Sequence, residues 1–305
     1  MIKNVFITGG FGQDGKILTD LLISKRVKLN VLFRNNKKII RRKNVNFIHL
    51  DLNNKKKIDK IFMNIKPDIV VHLASNNPSY NQKSYKIFYR DNMIATKNIF
   101  YSTFKNNLKA KFIFCSSSQI FQKKSGSVNE KSKNKMSSNY TKFRIDADRF
   151  MLKFKKEYKI KYTNAILFNH DSKYRNKKFI IPKLVNHIKR NKISFINMII
   201  KKNIYADFSH AEDICKGIKK LMFSKINIDK IIFSSNRNVS LNEIIFYLIK
   251  KNKINININI NSIYKKLKKG LIGNNNLAQN KLNWVVKKNI FIAAQEIFES
   301  TPLKL

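Results

Sequence analysis

Short apolar segments rich in β-branched residues alternate with longer amphipathic segments through the first half of the chain. The short segments are typical of buried parallel strands, and the longer ones carry apolar residues at helical spacing. Predicted strands occupy residues 4–8, 28–33, 45–50, 68–73, 111–115 and 162–168, and predicted helices 16–24, 54–64, 91–104 and 140–156. Repeated strand–helix units imply right-handed crossovers and helices on both faces of the sheet. The pattern therefore predicts an α/β fold built on a doubly wound parallel sheet.

The pattern loosens beyond residue 169. Helical spacing returns at 181–190, 210–223 and 241–251, with strands expected between 193 and 208, at 230–234 and, as an exposed edge, over the alternating Ile/Asn stretch 254–260. We predict a dinucleotide-binding domain over residues 1–168. Residues 169–305 are predicted to form mostly a smaller C-terminal substrate-binding lobe, interleaved with returning sheet strands.

Four of the eight glycines lie within residues 9–15, between the first predicted strand and helix. Gly9, Gly12 and Gly15 have the spacing G-x-x-G-x-x-G. The first glycine permits a tight turn, the second leaves room for a pyrophosphate, and the third lets the helix pack closely on the strand. Amides at the helix start then face the phosphate. This arrangement predicts a Rossmann-type dinucleotide site, and a glycine-rich turn without a ligand is the alternative.

The residues after the second and third strands bear on which dinucleotide is bound. NAD sites usually place an acidic residue after the second strand, where it holds the ribose hydroxyls. Arg34 stands there instead, so the sequence favours NADP over NAD, unless Arg34 is one more cation of a basic chain. Asp51, after the third strand, can accept a hydrogen bond from the adenine amine or belong to a surface turn.

The charge is extreme, with 63 Lys and Arg against 18 Asp and Glu and a formal net charge of +45. Lysine is scattered through every segment beside abundant Asn and Ile, residues that A/T-rich codons encode. A nucleic-acid footprint would cluster on one face, so base composition of the genome is the preferred explanation and no nucleic-acid partner is expected. A hydrophobic content of 43% with 8 Gly and 4 Pro indicates a folded globular protein.

Several simple site classes are not indicated. Cys115 and Cys215 are far apart in sequence, which predicts no disulfide framework and fits a reducing compartment. The five histidines show no metal-ligand spacing, so no metal site is expected. No apolar run approaches the roughly 18 to 20 residues of a membrane span, and residues 1–10 do not form a signal peptide. We therefore expect a cytoplasmic protein without a membrane partner.

A set of motifs spread over nearly the whole chain carries a family resemblance. They are residues 8–15 with Gln-Asp before the last glycine, 71–74 (VHLA), 115–118 (CSSS), Tyr140, 167–172 (LFNHDS), 207–211 (DFSHA) and 281–284 (KLNW). Together they resemble the extended short-chain dehydrogenase/reductase family, also called the NAD-dependent epimerase/dehydratase family. The glycine turn and the LFNHDS stretch are most similar to its GDP-mannose 4,6-dehydratases.

The resemblance implies a set of site residues. Ser117 and Tyr140 would bind the sugar's 4-hydroxyl, with Tyr140 as general base while hydride leaves C4 for the nicotinamide. The family places a lysine four residues after the tyrosine, and Arg144 stands there, so we expect catalysis to be weakened or altered. The implied cofactor-binding residues are Gly9, Gly12, Gln13, Asp14, Gly15, Arg34, Asp51, Leu52, Leu73, Ala74, Tyr140 and Arg144.

A second departure concerns the type of reaction. Dehydratases of the family carry a glutamate two residues after the catalytic Ser or Thr, where it removes the C5 proton. This chain has Gln119 in that position, and an amide cannot act as that base. A 4-keto reductase or an epimerase is therefore the rival of a dehydratase, unless Glu130 or Asp171 supplies another base. A catalytically decayed Rossmann protein that binds polyanions is a third hypothesis.

The resemblance also implies a nucleotide-sugar substrate, GDP-mannose or a related nucleotide hexose. Asn169 and Arg175 match positions that contact it, with Arg175 able to clamp a diphosphate. Ala206 replaces an arginine usual in the family, and Tyr264 and Lys265 stand where Arg-Pro is expected. By family analogy we expect a homo-oligomer.

Overall fold

In the computed structural model the described residues are 2–34, 42–76, 85–256, 258 and 269–302. Over these ranges the strands are β1 (Lys3–Thr8), β2 (Val27–Phe33), β3 (Val45–His49), β4 (Ile69–His72), β5 (Lys111–Ser117), β6 (Gly126–Val128), β7 (Lys161–Leu167), β8 (Asn169–Asp171), β9 (Tyr205–Ala206), β10 (Phe208–His210), β11 (Lys230–Phe233), β12 (Val239–Ser240) and β13 (Leu271–Gly273). The helices are α1 (Gln13–Leu22), α2 (Lys55–Ile65), α3 (Tyr85–Asn106), α4 (Asn139–Tyr158), α5 (Ile180–Lys189), α6 (Ile193–Lys202), α7 (Ala211–Phe223), α8 (Leu241–Lys251), α9 (Asn276–Leu282) and α10 (Ile290–Ser300). A 3-10 helix, Ser118–Ile120, follows β5 directly.

A seven-stranded sheet has the order β11-β7-β5-β4-β1-β2-β3. β1 pairs in parallel with both β2 and β4, so the chain builds the sheet outward in one direction from β1 and then in the other. β2–β3 and β4–β5 are parallel as well. This topology confirms the predicted doubly wound α/β fold of the Rossmann type, and it puts the reversal of strand order beside β1, where such sheets bind ligands.

The chain forms two compact units. The first contains Met1–Ile120, Asn134–Ile166 and Cys215–Ile231, and the second contains Phe121–Lys133, Leu167–Ile214 and Ile232–Leu305. The sequence analysis assigned residues 1–168 to cofactor binding and residues 169–305 mostly to substrate binding. This functional assignment stays a prediction.

The core of the first unit is an aromatic cluster between the sheet and its helices. Strands β1, β4 and β5 are buried because both of their faces are covered, and this explains their continuous apolar runs. The fully buried rings of Phe6, Phe62, Phe100, Phe112 and Phe143 belong to this cluster. Helix α4 contributes Phe143, Ala147 and Met151, which lie on one face at helical spacing.

The core of the second unit is aliphatic and lies between α5, α6, α8 and α10. Three two-stranded sheets, β8–β10, β9–β12 and β6–β13, belong to this unit. Trp284 of the KLNW motif is buried and donates its indole N–H to the carbonyl of Asp213 at 2.9 Å. The Asp213 carboxylate accepts the backbone amides of Lys287 and Lys288 and so holds the chain just before α10.

Two of the predicted strand regions differ from the structure. Residues 193–202 form the helix α6, and the strands expected between 193 and 208 are present only as Tyr205–Ala206 and as Phe208, which begins β10. The β-branched residues favoured a strand, but Ile196, Ile199 and Ile200 are buried at helical spacing, and tertiary packing outweighs local propensity. The predicted edge strand at 254–260 is wrong for residues 254–256 and 258, which belong to no strand, and its other residues lie outside the described ones.

Among the described residues, no helix is long and apolar enough to cross a membrane.

Candidate cofactor and catalytic site

The glycine turn between β1 and α1 is too closely packed for side chains. Gly9 has φ of +72°, and a Cβ there would lie 3.0 Å from the amide nitrogen of Ala74 in the loop after β4. A Cβ on Gly15 would lie 2.4 Å from the carbonyl oxygen of Gly9. At Gly12 a Cβ would have only that same oxygen within 4 Å, so the turn is open on this side. The contacts fit the tight turn predicted at Gly9 and the close packing predicted at Gly15, and the pyrophosphate role of Gly12 stays a prediction.

The helix α1 begins directly after this turn. Its N-cap is Gly12, which has no side chain that could cap the first amides of the helix. The carbonyl of Gly12 accepts the amide of Lys16 at 3.1 Å. Gln13 is buried and donates to the carboxylate of Asp14 at 3.1 Å. A glycine-capped helix start leaves space for an external anion against the positive end of the helix dipole.

A buried chain of hydrogen bonds connects the turn with β4 and α3. The Thr8 hydroxyl accepts the amide of Ala74 at 3.0 Å and bonds Nδ1 of His72 at 2.8 Å, and Nε2 of His72 lies 3.0 Å from the hydroxyl of Thr96. Burial, helped by the charge of Arg144, lowers the pKa of His72 to about 3. His72 is therefore a neutral bridge that holds the loop after β4 against the glycine turn.

The predicted adenosine-binding residues lie at the ends of β2 and β3. Arg34 is exposed and donates through Nη2 to the side-chain oxygen of Asn76 at 3.0 Å. Asp51 is exposed, and its carboxylate accepts the amide of Asn53 at 3.0 Å, while Leu52 is half-buried. The carboxylate of Asp51 thus closes its own turn, as one of the two sequence interpretations expected.

Ser117 and Tyr140 are both half-buried. Ser117 is the last residue of β5, and its hydroxyl accepts the amide of Gln119 at 3.3 Å. Tyr140 lies in the first turn of α4, which Ser138 and Thr141 close with a reciprocal capping box. The side chain of Gln119 is exposed on the 3-10 helix, against which α4 packs.

Arg144 is buried, and its guanidinium carbon lies 4.8 Å from the centroid of the Tyr140 ring. Its Nη1 donates to the carbonyl of Cys115 in β5. Its Nε is enclosed and has no hydrogen-bond partner in the part of the chain that the structure describes. Lys142 is directed elsewhere, as helical geometry predicts, and pairs with Asp146. The guanidinium of Arg144 thus lies against the Tyr140 ring and is tethered to the sheet.

The two predicted substrate-binding residues belong to the second unit. Asn169 is exposed, and its amide donates to the backbone oxygen of Asp207 at 3.2 Å. The Asp207 carboxylate accepts the amides of Ser235, Asn236 and Gly273 and the Ser235 hydroxyl. Burial raises the pKa of Asp207 to about 6, although these donors act in the opposite direction.

Comparison with known proteins decides the family. The sequence model of the NAD dependent epimerase/dehydratase family matches residues 5–231, which is most of the chain. The chain belongs to this family.

Individual relatives are distant. GDP-mannose 4,6 dehydratase 2 of Arabidopsis thaliana is 25% identical over 243 residues, which cover 71% of this chain and 64% of the relative, slightly under two thirds of its length. UDP-glucose 4-epimerase of Thermotoga maritima, solved with UDP-glucose, is 18% identical with a TM-score of 0.81, covering 97% of this chain and 98% of that one. RMD of Pseudomonas aeruginosa, complexed with NADPH, is 16% identical with a TM-score of 0.80, covering 98% and 97%. These two structural likenesses show the fold alone.

Membership of the NAD dependent epimerase/dehydratase family supports an enzyme with a nicotinamide dinucleotide as cofactor. The described residues fit such a cofactor, because Gly12, the N-cap of α1, carries no side chain where the first amides of the helix begin. Gly12, Gln13 and Asp14 would hold its pyrophosphate, with Leu73 and Ala74 beside it. No group of three or more metal-ligating side chains occurs in the described ranges.

The sequence analysis did not identify Thr96 or Asn76, and it included His72 only as part of the motif at residues 71–74. One signal was present, since Thr8 and His72 end adjacent parallel strands and are directly paired in register. The partners Thr96 and Asn76 lie in segments with no such regularity, so they could not be predicted from spacing.

Replacing His72 by Asn should make the free energy of unfolding fall less steeply as the pH is lowered. The native pKa of about 3 lies below the ordinary value of 6.5, so the unfolded chain binds the proton more tightly. The contribution of His72 is complete above about pH 6.5 and is lost as the pH falls towards 3, by at most about 1.4 kcal/mol per pH unit. Asn can keep the bond to Thr8 but does not titrate. Urea unfolding at pH 7 and pH 5 should show a fall about 2 kcal/mol larger for the wild type, and parallel pH profiles would contradict the assignment.

Proposed function

We propose that this protein binds NADP and oxidises or reduces C4 of a nucleotide hexose, with GDP-mannose as the first candidate substrate. The arrangement that carries the proposal is Tyr140 with the Arg144 guanidinium against its ring, on a helix that packs beside the end of the strand bearing Ser117. Such a phenol and hydroxyl can share the proton of a sugar alcohol. A bound nicotinamide would accept and return the hydride.

Each residue has a distinct role in this proposal. Tyr140 takes the proton from the 4-hydroxyl or returns it, and Ser117 hydrogen-bonds the same oxygen. Arg144 places its positive charge against the face of the Tyr140 ring, 4.8 Å from the ring centroid. Its tether to the Cys115 carbonyl keeps that charge in place but limits its reach.

Similarity to GDP-mannose 4,6-dehydratases supports an elimination of water across C5 and C6 as the second half of the reaction. Gln119 argues against it, since an exposed amide replaces the carboxylate base. The two substitute carboxylates are engaged elsewhere. Glu130 accepts the amide of Ile232 at 3.0 Å, and Asp171 lies 3.0 Å from Nε of Arg175. A 4-keto reductase or epimerase is therefore the second candidate function.

Product analysis separates the two candidates. In the first assay the protein is incubated with NADP and GDP-mannose, and a product lighter by one water appears only if elimination occurs. In the second assay it is incubated with a 4-keto nucleotide sugar and NADPH, and reduction is measured as a loss of NADPH absorbance. We expect slow elimination by the wild type, and Gln119→Glu should raise its rate on the order of 100-fold, the usual effect of a positioned base.

Gln122→Glu is the matched control, because it adds the same charge at another exposed glutamine. Rapid elimination by the wild type, unchanged in Gln119→Glu, would mean that another base operates. Absence of turnover with both substrates would contradict the proposed function itself.

Replacing Arg144 by Lys should raise turnover about tenfold, because a compact ammonium can approach the phenol and a ribose where the planar guanidinium cannot. Arg149→Lys is the control, since Arg149 lies on the same helix and its side chain is 70% exposed. Steady-state kinetics of the three proteins provide the measurement. Equal or lower turnover for Arg144→Lys would show that the arginine is the better cation here.

Calorimetric titration tests the choice of dinucleotide. We expect tighter binding of NADP than of NAD, and Arg34→Asp should weaken NADP at least about tenfold while leaving NAD little changed, because only NADP carries the 2′-phosphate. Arg90→Ala, at another exposed arginine, should change neither. Tighter NAD binding by the wild type would refute the preference, and no heat with either dinucleotide would favour the polyanion-binding alternative.

A further inference from the structure

A fixed guanidinium in the second unit has a partner with no assigned role. We propose that Asp171 is a positioning residue that holds Arg175 in the orientation needed to bind the diphosphate of the substrate, and that Asp171 is not a general base. This inference rests on the proposed function, because it names what Asp171 does for a nucleotide-sugar substrate.

The Arg175 guanidinium is held from two sides. Its Nε lies 3.0 Å from Oδ1 of Asp171, and the two charges form an ion pair. Its central carbon lies 3.6 Å from the centroid of the Phe179 ring, a close cation–π contact. The side chains of Arg175 and Asp171 are 20% and 5% exposed, so the pair is shielded from water and weakly screened.

The backbone fixes where the two charges meet. Asp171 ends β8 and pairs in register with His210 of the parallel strand β10. The amide of Arg175 donates to the carbonyl of Ser172 at 2.8 Å, which forms a tight turn between the two charges. Phe179 is the N-cap of α5. Arg175 is thus oriented by a strand end, a turn and a helix start.

The ion pair leaves one edge of the Arg175 guanidinium outside it. The contact with Asp171 is made through Nε, and Nη1 and Nη2 form the opposite edge of the group. The two Nη groups of a guanidinium can bind two oxygen atoms of a phosphate in one plane. Asp171 neutralises the charge of Arg175, so binding of a phosphate at this point depends on the geometry of the two Nη groups. The long-range attraction for an anion comes from the net charge of +45.

The pairing also restricts what Asp171 can do. A carboxylate that removes a proton from carbon must become neutral during the step, and here that change would leave the shielded charge of Arg175 without its partner. The same contact that makes Asp171 useful for orientation makes it a poor base. Asp171 and Arg175 should therefore act as one unit on substrate affinity.

Steady-state kinetics of Asp171→Asn test this inference. We expect the KM for the nucleotide sugar to rise about tenfold with kcat within about twofold of the wild type, because the loss of orientation weakens binding and leaves the reacting groups intact. Phe179→Leu should have the same signature. In an Arg175→Ala background, Asp171→Asn should add no further effect on KM.

The control is Asp229→Asn, which removes an ion pair with Lys155 in the first unit and should leave KM unchanged. A fall in kcat for Asp171→Asn that persists in the Arg175→Ala background would establish Asp171 as a base and overturn the proposal. So would a KM that Asp171→Asn does not change.

Calorimetric titration with GDP and with UDP gives a readout without turnover. The wild type should bind at least one of them, and Asp171→Asn, Phe179→Leu and Arg175→Ala should each weaken it about tenfold. If neither diphosphate binds, or if none of the three substitutions changes the affinity for the diphosphate, the inference is wrong even when NADP binds. If the diphosphate binds as expected but no sugar is turned over, the proposed reaction fails and the role of Asp171 stands.

Discussion

The close approach of the glycine turn to its neighbours is the constraint on which the site depends. A side-chain carbon at Gly9 would collide with the loop after β4, and one at Gly15 would lie 2.4 Å from a carbonyl oxygen of the turn itself. Any side chain there would separate the amides at the start of α1, and separated amides lose their convergence on an anion. The buried bonds from His72 through Thr8 to Ala74 hold the same contact from the other side. Cofactor binding and sheet packing therefore depend on one small region.

Arg144, which stands where the family resemblance implies a lysine, changes the proposed catalytic site more than its charge suggests. A guanidinium is longer and planar, and here it finds a backbone carbonyl of Cys115 and the face of Tyr140. It keeps a positive charge near the phenol while one of its donors is occupied by the protein. An ammonium has three donors on one atom and can bond several groups at a single point. The expected result is a site that still favours proton transfer through Tyr140 but orients its partners less well.

Much of the first unit could be predicted from the sequence because its signals are local. Strand and helix periods, the glycine spacing and the positions of Ser117 and Tyr140 at element ends all lie within short windows. Other features depend on distant neighbours. The helix α6 looked like strand because its isoleucines are β-branched, and only packing against α5 and α8 shows that their helical face is buried. The contact of Arg34 with Asn76 joins two loops and leaves no trace in sequence spacing.

The scarcity of carboxylates connects the composition with the reaction. The chain has 18 acidic residues against 63 basic ones, and several of those in the second unit are committed as acceptors. Asp207 accepts the amides of Ser235 and Asn236 and that of Gly273, Asp213 accepts two consecutive amides, Glu130 accepts a strand amide, and Asp171 faces Arg175. A general base must reach the proton that it removes, and a carboxylate already bound to other groups of the protein cannot approach a substrate without giving up those contacts. With Gln119 in place of the expected acid, hydride transfer at C4 needs no carboxylate, whereas elimination needs one that the composition and the packing both make scarce.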